Sequence, residues 1–172
     1  MDLDQRQHEA VGHAEQVPTD DDLDRLRRAI AVSQYARDHG NHPFGAVLVS
    51  PGGDIVLEAE NTVVTEHDVT NHAETNLVRL ASRTIDDDLR HHTLVTSCEP
   101  CPMCAGAIFW AGIGRVVYGL SQERLHEVAG SDPDTSLMHA CRLVFAAGGR
   151  RTDVVGPLLE DEAAVAHHDF WS

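Results

Sequence analysis

The chain has 172 residues, room for one ordinary domain with its own core, and a formal net charge of −15 from 28 acidic residues against 13 Lys plus Arg. That charge repels a phosphate backbone and disfavours a nucleic-acid partner. No stretch approaches the roughly 20 apolar residues that span a bilayer, and the opening MDLDQRQHEAVGHAEQ lacks the basic and apolar regions of a signal peptide, so the expectation is a cytoplasmic protein without membrane contact.

Residues 1–18 are polar and aperiodic and read as a flexible tail, with residues 19–172 as a single domain. Thr19 with Asp22 predicts a capping box, and Leu23, Leu26, Ile30 and Ala36 continue at helical spacing until Gly40. Phe44 to Val49 and Ile55 to Glu60 read as strands joined by the turn Pro51-Gly52-Gly53-Asp54, which makes a hairpin. After a polar loop, Thr70-Asn71 is expected to cap a helix carrying Leu77, Leu80 and Ala81.

Thr93 to Ser97 reads as a buried strand, and Pro102 opens a helix through Ala105, Ile108 and Phe109. A strand at Arg115 to Leu120 and a short helix at Gln122 to Val128 follow. The remainder predicts a helix near Leu137 to Phe145, a strand at Val154-Val155 and a last helix from Leu158 to about Phe170. Strands alternating with helices after a hairpin imply an α/β fold, a mixed sheet between helix layers. The acidic runs Asp20 to Asp24, Asp86 to Asp88 and Glu160 to Glu162 read as solvated helix ends.

The chemistry concentrates in His72-Ala73-Glu74 and, one helix and one strand later, Pro100-Cys101-Pro102-Met103-Cys104, the pattern of zinc deaminases. Cys101 and Cys104, three apart at a helix start, share a face, and the helix dipole there favours thiolates. With His72 they make three N and S ligands for Zn2+ and leave a fourth position for water, whose pKa zinc brings to roughly 7. Glu74 is expected to carry protons from that water to the ring nitrogen and the departing ammonia. Two other readings of the cluster are a closed zinc site with Cys98 as fourth ligand and an iron-sulfur site. Neither accounts for the His and the Glu. Cys98 is otherwise a strand-end residue near the site, and Cys141 a buried helix thiol.

Over roughly Leu23 to Gly130 the sequence resembles the cytidine deaminase superfamily, and within it the guanine deaminase and nucleoside deaminase branch. The residues that carry this are His42-Pro43-Phe44-Gly45-Ala46-Val47, Glu60-Asn61, His72-Ala73-Glu74, Ser97 to Cys104 and Ala107-Ile108-Phe109-Trp110-Ala111. The resemblance implies a three-layer α/β/α fold with a mixed five-stranded sheet, one zinc per subunit and a homodimer, with the Phe109-Trp110 helix as a candidate contact. It also implies that Asn61 hydrogen-bonds the base, Phe44 helps form the pocket, and the main-chain amide near Ala73 touches substrate. Asp132 or Asp134 would read a guanine, and Trp171 beside Phe170 would close the site. Departures from the usual pattern are Val69, where proline is common, and Asn71, where a small residue is common, so that Asn71 becomes either a pocket residue or a cap.

The function these readings point to is hydrolytic deamination of a small amino-heterocycle, guanine to xanthine and ammonia first. A nucleoside (guanosine or cytidine) or cytosine are rivals. A tRNA adenosine deaminase would need a basic terminal helix, whereas this one reads LLEDEAAVAHHDF. A non-catalytic zinc module would not need Glu74.

Overall fold

The computed structural model describes residues 17–130, 132, 134 and 136–171, so all of the expected tail except Val17 and Pro18 lies outside the described residues. Helix α1 (Asp20–Asp38) starts at the reciprocal cap read from the sequence: the Thr19 hydroxyl accepts from the Asp22 N–H and the Asp22 carboxylate accepts from the Thr19 N–H. It buries Leu26, Ala29, Val32 and Ala36, a stripe at helical spacing. Gly40 then takes a left-handed turn at φ +86°.

Strands β1 (Gly45–Val49) and β2 (Ile55–Glu60) form the antiparallel hairpin, β1 also pairs antiparallel with β3 (Thr93–Cys98), and β4 (Arg115–Leu120) and β5 (Asp153–Val155) continue in parallel. The order β2-β1-β3-β4-β5 makes the mixed five-stranded sheet. Side chains alternate between its faces, as a pleat requires. Leu48, Leu94 and Val116 pack with Leu77, Ile108 and Phe145 from α3 (Ala73–Thr84), α4 (Pro102–Ala111) and α6 (Cys141–Ala146). Val47, Val95 and Val117 pack on α1 through Leu26, Ala29 and Val32. The result is the three-layer α/β/α arrangement. Gly45 permits the close seating of α1, since a Cβ there would run into the Ser33 nitrogen and the Ala29 oxygen.

Some boundaries differ from the expected ones, each for a local reason. The polar loop holds a one-turn helix, α2 (Val63–Glu66). Helix α3 is capped by His72 and not by Thr70-Asn71, and Leu80 lies exposed on its outer face. Helix α5 (Gln122–Ala129) is capped by the Ser121 hydroxyl, which accepts from the Arg124 N–H. The helix expected from Leu137 begins only at Cys141, because His139 is bonded through its N–H to the Gln122 side chain. The long last helix is two short pieces, α7 (Glu160–Ala164) and a 3-10 turn Val165–His167, bounded by Leu159 and Asp169 at positive φ. Residues with L side chains rarely hold that conformation inside a helix.

Candidate functional site

The sheet and two helix starts bring the sequence motifs together. His72 is the N-cap of α3, Cys101 the N-cap of α4, and Cys104 lies in the first turn of α4. The Nδ1 of His72 lies 3.7 Å from Cys101 Sγ and 3.5 Å from Cys104 Sγ, and the three ligand atoms are all within 4.8 Å of one another. Tetrahedral zinc with bonds of about 2.0–2.3 Å separates its ligand atoms by roughly 3.5–3.8 Å, so this donor set fits zinc. His72, Cys101 and Cys104 are thus placed to bind the ion, and zinc held there supplies Lewis acidity and lowers the pKa of a coordinated water. Cys98 is buried in β3 outside this group, so the described residues form neither the closed four-ligand site nor an iron-sulfur set.

The protonation balance fits the same purpose. A hydrogen bond from the Cys104 thiol, and then the His72 ring, hold Cys101 well below the usual thiol range against the opposing effect of burial. Cys104 is pushed up by sharing that bond and by burial, and His72 is pushed up mainly by its contact with Cys101. A divalent cation takes the place of the protons that these three groups share.

Glu74, two residues past His72, is buried at 4 % exposure. Burial raises its carboxyl above the usual range, a shift that the neighbouring His72 opposes. Its Oε1 accepts a 3.0 Å bond from Thr96 Oγ1 on β3, and its Oε2 lies 3.4 Å from Cys104 Sγ. The carboxylate therefore stands beside the metal ligands without belonging to their set.

The other residues expected at the site divide into two groups. Asn61 follows β2 and is buried; its Oδ1 accepts from the Val63 N–H, while Nδ2 has no hydrogen-bond partner among the described residues. The Phe44 carbonyl accepts from the Asn61 N–H at 3.0 Å, which ties the two together. Ala73 is the first residue of α3 and buried, and its N–H has no intrahelical acceptor. Trp171 folds back on its own chain, with ring centroids 5.4 Å from His42 and 6.2 Å from Phe44.

Three further residues are described by their local contacts. Asn71 is not the cap of α3, a place taken by His72; its Nδ2 donates to Glu66 and its Oδ1 accepts from Arg79. Asp132 and Asp134 are exposed, and the Asp134 N–H donates to the Asp132 carboxylate in a tight local turn.

Thr96 and His167 were not singled out by the sequence. Thr96 follows Leu94-Val95 in the strand run Thr93-Leu94-Val95-Thr96-Ser97, and a buried hydroxyl in a strand needs a partner, which is a usable signal. His167 stands beside His168 in the sequence and carries no such signal.

A family model for the cytidine and deoxycytidylate deaminase zinc-binding region matches residues 19–120. A probable cytosine deaminase of Schizosaccharomyces pombe is 45 % identical over 151 residues, covering 87 % of this chain and 92 % of that one. The crystal structure of guanine deaminase from Bacillus subtilis superposes with a TM-score of 0.60 at 39 % identity, over 65 % of this chain and 71 % of that one. A tRNA-specific adenosine deaminase of Haemophilus influenzae is 37 % identical over 109 residues, 63 % of each chain. These relatives act on different substrates, so kinship settles the chemistry and not the substrate. With its zinc-ligand trio in place and the family model spanning residues 19–120, the chain belongs to the family of the cytidine and deoxycytidylate deaminase zinc-binding region and is a zinc-dependent deaminase.

Proposed function

We propose that the protein hydrolyses the exocyclic amine of a free base, a planar heterocycle such as cytosine or guanine, and releases ammonia. The observation that supports a small planar substrate is the packing of Trp171 onto His42 and Phe44, with Asn61 bonded to the Phe44 carbonyl and His42 near enough to feel the charge of the zinc ligand His72. A wall of aromatic rings suits a flat ring. Guanine was the first expectation, and a probable cytosine deaminase stands beside a guanine deaminase among the relatives. Cytosine and guanine therefore stand together, with guanosine and cytidine as the larger rivals.

In this reading Glu74 moves the protons. It takes one from the attacking water and hands it to the ring nitrogen beside the amino-bearing carbon, then takes the second from the hydroxyl now on that carbon and gives it to the amine, which leaves as ammonia. Asn61 orients the base through its unpartnered Nδ2, and the Ala73 N–H at the start of α3 provides a further donor. The net charge of −15 and the acidic first turn of α7 speak against tRNA as substrate. Among the described residues no helix is long and apolar enough to cross a membrane.

Ammonia release by zinc-loaded protein, measured on cytosine, guanine, adenine, their nucleosides and a tRNA anticodon stem, tests the substrate. Turnover of a free base supports the reading, and turnover of nucleosides or RNA alone overturns it. The same reading has the protein acting as a homodimer through α4, where Trp110 is 85 % exposed and Met103 38 % exposed beside the zinc ligands. Sedimentation of the protein and of W110E checks this, a wild-type monomer being the contrary result.

A further inference from the structure

His167 sits at the end of the 3-10 turn Val165–His167 and is 1 % exposed. Burial, and then the nearby His168 and Arg37, push it down to about 4, so the ring is neutral at physiological pH and carries a single N–H. Trp171 Nε1 donates to His167 Nδ1 at 3.3 Å, which makes Nδ1 the acceptor and leaves the proton on Nε2. That Nε2–H is buried and has no hydrogen-bond partner among the described residues.

A buried donor without an acceptor costs stability, so its retention calls for an explanation. The His167 ring meets Phe44 edge-on at 5.1 Å and lies parallel to Trp171, so it belongs to the same aromatic wall. Asn61, bonded through its N–H to the Phe44 carbonyl, brings the second orphaned donor, its Nδ2. Two unpartnered donors beside one aromatic wall suit a ring that carries its own acceptors.

We infer that His167 is a specificity-determining residue whose Nε2–H donates to a ring carbonyl of the substrate, so that the preferred base is an amino-oxo heterocycle and not a purely amino one. The inference rests on the free-base reading above and names the group that is recognised. The Trp171 indole acts as a positioning residue in it, since its N–H sets the histidine tautomer.

The test compares wild type, H167F, H167Q and W171F on two matched pairs of probes: cytosine with 4-aminopyrimidine, and guanine with 2-aminopurine, each second member lacking the carbonyl. In H167F, which keeps an aromatic ring, kcat/KM for the oxo base is expected to fall by roughly 10- to 100-fold, mostly in KM, with little change for its carbonyl-free partner. H167Q, which keeps a side-chain N–H, should recover part of the loss. Zinc content and circular dichroism show that each variant is folded, and the nitrogen-15 signals of wild-type histidine, followed on addition of the substrate, give a readout that needs no variant. Equal losses on both members of a pair, or a His167 Nε2 signal that does not move with bound oxo base, overturn the inference. Failure of the wild type on every free base overturns the substrate reading and this inference with it.

Discussion

Thr96 Oγ1 donates a 3.0 Å hydrogen bond to Oε1 of Glu74, from the middle of β3 to the first turn of α3. The bond fixes one carboxylate oxygen and leaves the other, Oε2, on the side of Cys104. T96V keeps the side-chain shape but removes the donor. It should lower kcat by roughly 10-fold with zinc content unchanged, while T96S keeps most of the activity. Steady-state kinetics beside metal analysis decides, and loss of zinc in T96V would mark Thr96 as a support of the metal site instead.

Glu74→Gln separates the proton carrier from the metal ligands. The amide is close in size but does not accept the proton, so kcat is expected to fall by about 10²- to 10⁴-fold while zinc is retained. Metal content and ammonia release measured on one preparation make the comparison, and full activity would remove Glu74 from the mechanism.

Chelation tests the trio His72, Cys101 and Cys104. Removing zinc should abolish turnover, and zinc alone should restore it. C101S should lose zinc, because a hydroxyl does not form the anionic ligand that the thiolate provides. C98S should keep both zinc and activity, since Cys98 lies outside the ligand group.

Away from the site, the Arg115 guanidinium grips both oxygens of Asp22, at 2.7 and 2.9 Å. Burial alone would raise this carboxyl; Arg115 and the Thr19 cap more than offset it and hold it at about 2, against 3.8 ordinarily. A depressed carboxyl stabilises the fold above its unfolded pKa, and that contribution disappears as the pH falls from about 4 through about 2. It amounts to about 2 kcal/mol, so D22N should be less stable than wild type by about that much at pH 6, and the gap should shrink towards pH 2. Urea titrations of both proteins across that range read it out, and a gap that stays constant would contradict the pairing.

Gly45 offers a structural check. The Cβ of G45A would meet the α1 backbone at Ser33 and Ala29, which forces α1 away from β1. A loss of about 1–3 kcal/mol is expected from such overpacking, visible as a lower thermal midpoint.

The sequence alone determined the metal chemistry and most of the frame. The spacing of His72, Cys101 and Cys104 names a three-ligand zinc site, because each motif is local and each ligand lies at or beside a helix start whose cap or proline is itself local. The Thr19 and Asp22 cap, the hairpin turn at Pro51 to Asp54 and the strand pattern were legible for the same reason: they depend on neighbours a few residues apart. What depends on distant parts of the chain was not. The bond between Thr96 and Glu74 spans 22 residues. The turn of the C-terminal segment that sets His167 and Trp171 against His42 and Phe44 joins residues more than a hundred positions apart, and in the sequence it looked like a continuous helix. Asn71 makes the same point: the sequence offered it as a cap of α3, yet His72 caps that helix and Asn71 bonds Glu66 and Arg79. Partner choice for a polar side chain is settled by which groups the packed layers leave within about 3 Å, and only the tertiary structure decides that.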